Sequence, residues 1–297
     1  MIITKLVGGL GNQMFQYAAG RYLAIKHGVK LKLDRNFFEL YRGIKGVTQR
    51  NFELNVFNFP CEIASYEEIK KYKKKDRHYE TIISNLLYFI GFPLQVYYAE
   101  SGFSYNAIFN KLPAKTYIDG YWQSEKYFKN IENIIRKDFQ FKEQFSLENE
   151  RVATQIYETH SVGIHVRRSD YAFNKEVNQI HGTCSLSYYN KAIDIINSKV
   201  SNPYFFVFSD DVAWAEANLH VNQFPVQFIN HNYGSSNYRD MQLMSLCKHN
   251  IIANSSFSWW GAWLNRNPGK IIIAPKKWFN DPSINTNDLI PENWIKL

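Results

Sequence analysis

The sequence predicts an α/β protein built on parallel sheets, and three observations carry that prediction. Apolar runs of strand length alternate with helix-length amphipathic stretches, most regularly after Glu150. The first strand-to-helix turn, Gly8-Gly9-Leu10-Gly11, is rich in glycine, as in β-α-β units that bring backbone N–H groups close to a ligand. Polar clusters follow several of the apolar runs, where a parallel sheet presents its ligands.

The chain has 297 residues, comfortable for two domains of about 150. With 45% hydrophobic residues it can bury a real core, and most of its unusually many rings (20 Tyr, 22 Phe, 7 Trp) belong in that core. A net charge of +8 favours an anionic partner such as a nucleotide, a nucleic acid or a membrane surface. The basic residues form no dense stripe interleaved with aromatics, which argues against a nucleic-acid partner. Cys61, Cys184 and Cys247 are isolated and odd in number, so neither a CxxC zinc site nor a disulfide framework is expected, and a reducing cytoplasm fits. The N-terminus breaks at glycines after a short apolar run, unlike a signal peptide or anchor. The apolar run Leu86 to Leu94 is too short to span a bilayer, so any membrane contact would be peripheral.

Ile2 to Val7 is predicted as a strand, Asn12 as a helix cap, and Gln13 to His27 as the helix, closed by Gly28. Val29 to Leu33 is the next strand and ends at Asp34, a tempting ribose-binding acid for a nicotinamide cofactor. That reading is disfavoured because the turn lacks the third glycine and the helix opens on Asn12-Gln13. The basic run Lys70 to Lys75 reads as a solvated helix face, with a membrane-surface patch as the alternative. Tyr117 to Tyr121 is a strand; Trp122 and Gln123 at its end are candidates for a stacked carbohydrate or for plain packing. An amphipathic helix is expected over Glu125 to Asp138. The domain boundary falls in the polar stretch that follows, giving domains 1–145 and 146–297.

In the second half, strand Val162 to Val166 runs into the charged segment GIHVRRSDY and a long loop holding Glu176 and His181. Ser185 or Ser187 caps a helix to Lys199. Pro203 to Phe208, Val226 to Ile229, Asn250 to Ala253 and Ile271 to Ala274 are strands. Helices are expected over Val212 to Leu219, over Tyr238 to Lys248, and from the segment Asn254 to Gly261.

Three clusters fall at these strand ends: His165 to Asp170, Ser209 to Asp211, and Asn254-Ser255-Ser256-Phe257-Ser258. Together they suit a nucleotide diphosphate. Arg167 and Arg168 point to opposite sides of an extended backbone, so one can fork onto phosphate while Asp170 or the backbone holds the other. Serine hydroxyls and the N–H groups of a helix start cradle phosphate oxygens. Asp210 or Asp211 has the acceptor pair that guanine N1–H and N2–H₂ require. The Asp pair could instead hold Mg²⁺, but two arginines already supply compensating charge, so no metal is expected.

These residues carry a resemblance. GGLGNQMFQYAAGRYL, GYWQSEKYF, GIHVRRSDY, the FSDD turn, IIANSSFSWWGAWLN and IIIAPKKWF occur in this order over nearly the whole chain. The sequence resembles the bacterial α-1,2-fucosyltransferases of glycosyltransferase family 11. Ser169 stands where that family usually has glycine. The resemblance implies two Rossmann-like domains facing across a cleft, the GT-B type. Its N-terminal domain would take the acceptor and its C-terminal domain GDP-β-L-fucose. It implies a galactose-terminated oligosaccharide or lipid-linked glycan as acceptor, an α-1,2-linked product and no cofactor. Arg167 matches an arginine that related fucosyltransferases use on the diphosphate, and Asn12 an asparagine at the sugar–phosphate junction. Asp34, Asp170, Glu176 and His181 are candidates by type for the general base.

Overall fold

The structure, a computed structural model, describes residues 1–44, 49–59, 62–73, 95–168, 175–221 and 223–297, without the side chains of 175–177. Asp170, Lys74, Lys75, Cys61 and the run Leu86 to Leu94 lie outside the described residues, as does the side chain of Glu176. The chain divides into two compact units, Met1–Lys142 with Asn287–Leu289, and Glu143–Thr286 with Ile290–Leu297.

The first unit is built on a parallel sheet of β1 (Ile2–Lys5), β2 (Leu31–Asp34), β3 (Glu62–Ile63), β4 (Val96–Ala99) and β5 (Thr116–Asp119), in the order β3-β2-β1-β5-β4. Strand β1 is central because its apolar residues Ile2 and Ile3 are buried on both faces. Helix α1 (Leu10–Lys26) lies against it. Close approach is possible because Gly20 has no side chain: a Cβ there would sit 2.2 Å from Thr4 Oγ1. The helix starts earlier than predicted. Gly9 is its N-cap, and Asn12 lies inside the first turn rather than capping it. The N–H of Leu10 is met instead by Glu53 Oε2 at 3.0 Å, a partner supplied from 43 residues away. Gly28 closes the helix as expected, at φ +61°.

Short helices α2 (Asn36–Leu40) and α3 (Tyr66–Lys73) follow. Within the basic run, Lys70 lies over the Tyr66 ring and Lys73 reaches Asp34, so these two charges are engaged locally. The predicted helix over Glu125 to Asp138 breaks into two 3-10 turns and a shorter α4 (Glu132–Asp138). Ser124 caps the first turn by accepting from the N–H of Lys126. Rings fill this core: Tyr17, Phe57, Phe59, Phe139 and Phe141 interlock at 4.3–6.4 Å between centroids.

The second unit opens with α5 (Leu147–Glu158) and has a six-stranded parallel sheet, with β6 (His160–Val166), β7 (Pro203–Ser209), β8 (Val226–Ile229), β9 (His249–Ile251), β10 (Ile272–Ala274) and β11 (Ile295–Lys296) in the order β11-β10-β9-β6-β7-β8. Helices α6 (Lys175–His181), α7 (Leu186–Lys199), α8 (Val212–Asn218), α9 (Tyr238–Leu246) and α10 (Ser256–Leu264) connect the strands. Of the two proposed caps for α7, Ser185 is the one used, accepting from the N–H of Tyr188 at 3.2 Å. The core joins Val162, Ile164 and Val166 of β6 to Phe205 and Val207 of β7 and to Ala192, Ile193 and Ile196 of α7. Trp259, Trp260 and Trp263 of α10 pack on one another and on Trp294, so they are core rather than site.

Both units are thus α/β with parallel sheets, as the alternation predicts. Strands β3, β4 and β11 were not foreseen, being two to four residues long. Among the described residues no helix is long and apolar enough to cross a membrane.

Gly20 yields a stability prediction. In Gly20→Ala the gain in helix propensity, about 1 kcal/mol, opposes a contact far inside van der Waals distance of the β-branched, buried Thr4. Overpacking should prevail, and urea unfolding should show a net loss of about 1–3 kcal/mol.

Candidate functional site

The three polar clusters of the second unit do converge. They follow β6, β7 and β9, which are adjacent in the order β9-β6-β7. Arg167 and Asp210 bridge two of the strand ends, Nη1 to Oδ2 at 2.8 Å. The His165 and Phe257 rings, 5.6 Å apart, link β6 to the first turn of α10.

The two arginines are held differently, as successive residues on a strand must be. Arg168 Nε reaches Asp211 Oδ2 at 3.3 Å, and its guanidinium lies 3.8 Å over the Trp214 ring. Its backbone N–H donates to Asp210 Oδ1 at 2.8 Å. Arg168 is therefore a support. Arg167 pairs with Asp210, and each arginine keeps a fifth of its side-chain surface exposed.

This geometry corrects the reading of the acidic pair. Asp210 spends one oxygen on Arg167 and the other on the Arg168 N–H. Asp211 caps α8 by accepting from the Trp214 N–H at 3.2 Å and takes Arg168 with its other oxygen. Neither offers guanine the free pair of acceptors that the sequence suggested. Their role is to set the arginines.

His165 is 5% exposed and its Nδ1 has no hydrogen-bond partner among the described residues. Burial pushes its pKa down to about 4, with Arg167 adding to the effect and Asp210 opposing it, so the ring is neutral near pH 7. It is a buried polar atom held ready beside Arg167.

The serine-rich cluster divides. Ser255 is the N-cap of α10, yet its hydroxyl accepts no N–H of the first turn. Ser256 and Phe257 are half-exposed. Among the described residues no side chain caps the first turn of this nine-residue helix, whose N–H groups suit a ligand or solvent. Ser258 is buried, and its hydroxyl is spent on the carbonyls of Ala253 and Ser255. Asn254 is also buried: its Nδ2 donates to the carbonyls of His181, Gly182 and Trp278 at 2.9, 3.2 and 3.0 Å. Asn254 and Ser258 thus anchor the helix start rather than face a phosphate. His181, a candidate base by type, belongs to this anchor through its carbonyl, with its ring 5.3 Å from Phe279.

At the carboxyl edge of the first unit's sheet the outcome is also mixed. Trp122 is 0% exposed, packed among Tyr98, Phe109 and Tyr127. It cannot stack a sugar. Asp34 is buried; its carboxylate accepts from Tyr117 OH at 2.6 Å and the Asn36 N–H at 2.9 Å, with Lys73 at 3.5 Å. It is unavailable as a ribose ligand or a base. Gln123 is mostly buried and donates from Nε2 to Asn12 Oδ1 at 2.9 Å. In the GNQ turn, Gln13 is a buried pin: it donates to the carbonyls of Gly8 and Asn51 and accepts from the Glu53 N–H.

Two features escaped the sequence reading. Glu100, one residue past β4, accepts with Oε2 from the N–H groups of Tyr121 and Trp122 at 2.6 and 2.9 Å, while Oε1 is buried without a partner. Burial pushes its pKa up to about 7, the two N–H groups opposing. In the second unit Asn149, Asn232 and Asp240 form a buried network, Asn232 Nδ2 donating to Asp240 Oδ1 at 2.8 Å, and burial lifts Asp240 to about 7 as well. Only a carboxylate shortly after an apolar VYY run hinted at Glu100; nothing local marks Asp240. Among the described residues, no group of three His, Cys, Asp or Glu side chains converges as a metal site.

Glu100 makes stability depend on pH. Its folded pKa lies above its unfolded value of 4.5, so folding favours the protonated form. That contribution is present in full below about pH 4.5 and fades as pH rises through about 7. In chemical denaturation across this window Glu100→Gln should lose that part of the slope, gaining about 1–3 kcal/mol on wild type between the two ends.

The model of Glycosyl transferase family 11 matches residues 62–297. An alpha-1,2-colitosyltransferase of Escherichia coli is 34% identical over 302 residues, covering 100% of this chain and 99% of that protein. The O-antigen biosynthesis glycosyltransferase WbnK of Escherichia coli is 35% identical over 308 residues, covering 98% and 99%. The galactoside 2-alpha-L-fucosyltransferase Sec1 of Mus musculus is similar over a shorter stretch, 32% identical over 103 residues, 35% of this chain and 28% of that protein. With a family match over most of its length and relatives this similar end to end, the chain belongs to glycosyltransferase family 11.

Proposed function

We propose that the protein transfers L-fucose from GDP-β-L-fucose to the 2-hydroxyl of a terminal galactoside, inverting the anomeric carbon to give an α-1,2 linkage. The observation that carries this reading is the cluster at the β6 edge: Arg167 set by Asp210, the unpartnered Nδ1 of a neutral His165, and the uncapped first turn of α10. Family membership makes the chain a glycosyltransferase. The names of its relatives support an α-1,2 linkage, a galactoside acceptor and a place in O-antigen synthesis.

In this mechanism the galactose 2-oxygen attacks C1 of fucose from the face opposite the diphosphate. The C1–O bond to the β-phosphate breaks, GDP leaves with the bonding pair, and the 2-hydroxyl proton passes to the departing diphosphate or to solvent. Positive charge grows on the sugar ring and negative charge on GDP. Arg167 and the first-turn N–H groups of α10 stabilise that negative charge, with His165 binding the nucleotide. Charge compensation comes from the protein, so the reaction needs no metal. Ser255, Ser256 and Phe257 line the phosphate side, and Arg168, Asp210, Asp211, Asn254 and Ser258 hold this arrangement from behind. The nicotinamide alternative has lost its ribose-binding acid, since Asp34 is engaged by Tyr117 and Asn36.

A second donor has a specific observation in its favour, the full-length similarity to a colitosyltransferase. Colitose is L-fucose without its 3-hydroxyl. The deciding assay offers GDP-fucose and GDP-colitose with β1,3- and β1,4-linked galactosides, with and without EDTA, and reads linkage by NMR. The expected result is α-1,2-fucosylation that survives EDTA. Faster transfer from GDP-colitose reassigns the donor, and no transfer from either sinks the reading.

Arg167→Ala should lower kcat by two to three orders of magnitude, about 2.7–4 kcal/mol, if its contact to the leaving group resembles an oxyanion donor. A near-wild-type rate in a folded Arg167→Ala protein would refute its role on the diphosphate.

A further inference from the structure

We propose that Glu100 is a positioning residue for the side-chain amide of Asn12, acting through the backbone of Trp122 and the side chain of Gln123. The inference rests on the reading of the protein as a sugar-nucleotide transferase, with Asn12 in the place that the resemblance implies for it.

Asn12 is gripped on two sides. Its Oδ1 accepts from Gln123 Nε2 at 2.9 Å. Its Nδ2 lies so close to Gly8 that a Cβ there would sit 2.4 Å away. Gly8 is at φ +77°, a conformation that glycine adopts without penalty. With Gln123 Nε2 donating to Oδ1, Asn12 turns its Nδ2 away from Gln123. Nδ2 then has no acceptor among the described residues and is presented as a donor in the first turn of α1.

What fixes Gln123 is its backbone. Among the described residues its head group has no hydrogen bond other than the one to Asn12, and its Oε1 is buried without a partner. The preceding residue, Trp122, is at φ +55°, a left-handed conformation disfavoured for a bulky side chain. Two things hold it there. The indole is buried among Tyr98, Phe109 and Tyr127. The N–H groups of Tyr121 and Trp122 both converge on Glu100 Oε2. Glu100 is itself fixed, its N–H donating to the Asp119 carbonyl at 2.8 Å. Gly120 allows the approach, because a Cβ there would meet Glu100 Cβ at 2.4 Å. Removing the carboxylate frees two adjacent N–H groups, that of the buried Trp122 and that of the exposed Tyr121, and the displacement passes through Gln123 to Asn12.

The test is a double-mutant cycle on kcat at saturating donor, with Glu100→Ala, Gln123→Ala and Asn12→Ala alone and in pairs, and Glu100→Gln as the conservative variant. Glu100→Ala and Gln123→Ala should each lower kcat by about tenfold or more while the acceptor KM stays within about twofold. In the Asn12→Ala background neither should lower it further. Glu100→Gln retains an oxygen for both N–H groups and should keep most of the activity. Additive losses, or Glu100→Gln as damaging as Glu100→Ala, overturn the proposal. If Glu100→Ala does not fold, Gln123→Ala and Glu100→Gln complete the test.

A second arm needs no substrate. In protein labelled with ¹⁵N-asparagine, the Asn12 side-chain amide is the signal lost in Asn12→Ala. It should shift in Gln123→Ala and Glu100→Ala and stay in place in Glu100→Gln. An unmoved signal in the alanine variants overturns the positioning role. If wild type transfers neither sugar, the function fails while this arm still decides the positioning.

Discussion

The ion pair between Arg167 and Asp210 organises the edge of the second unit. Two arginines in succession at the end of a buried strand place two positive charges where water is scarce, and each must meet a partner. Asp210 and Asp211, at the end of the neighbouring strand, supply one each. Asp210 also takes the Arg168 N–H, and Asp211 starts α8. One two-residue turn therefore joins the ends of β6 and β7, begins a helix, and gives each arginine its own carboxylate.

The first unit solves a related problem with uncharged groups. Its glycine-rich turn is shaped by buried amides: Gln13 holds the Gly8 carbonyl, and Gln16 Oε1 accepts from the Val7 N–H at 2.9 Å. Close approach at Gly8 and Gly120 lets polar side chains sit against backbone without steric conflict. In both units buried polar groups with satisfied partners set the strand ends, and a few atoms remain over: Asn12 Nδ2, His165 Nδ1 and the first turn of α10.

Much of this was legible in the sequence. The strand alternation placed most of the parallel strands of both sheets, and Gly28, Ser185 and Asp211 act as the local terminators and caps their types suggest. Strand periodicity indicated that Arg167 and Arg168 point to opposite sides, and they take different partners, Asp210 and Asp211. Where local reasoning failed, a distant residue had intervened. Asn12 is not a cap because Glu53 meets the Leu10 N–H instead. Asp34 is no ligand because Tyr117 occupies it. Trp122 is no platform because a left-handed turn carries its ring into the core.

The sequence by itself determined the α/β class, the order of most strands and helices, and which residue types stand at the strand ends. These depend on periodicity and on interactions a few residues apart, which a linear chain displays. Only the tertiary structure decided which polar atoms are spent and which are left over, since a side chain's partner can lie more than a hundred residues away, as Gln123 does from Asn12. Burial then sets the charge state: Glu100 and Asp240 are ordinary carboxylates in the sequence, and the fold around them withholds water and raises their pKa values to about 7.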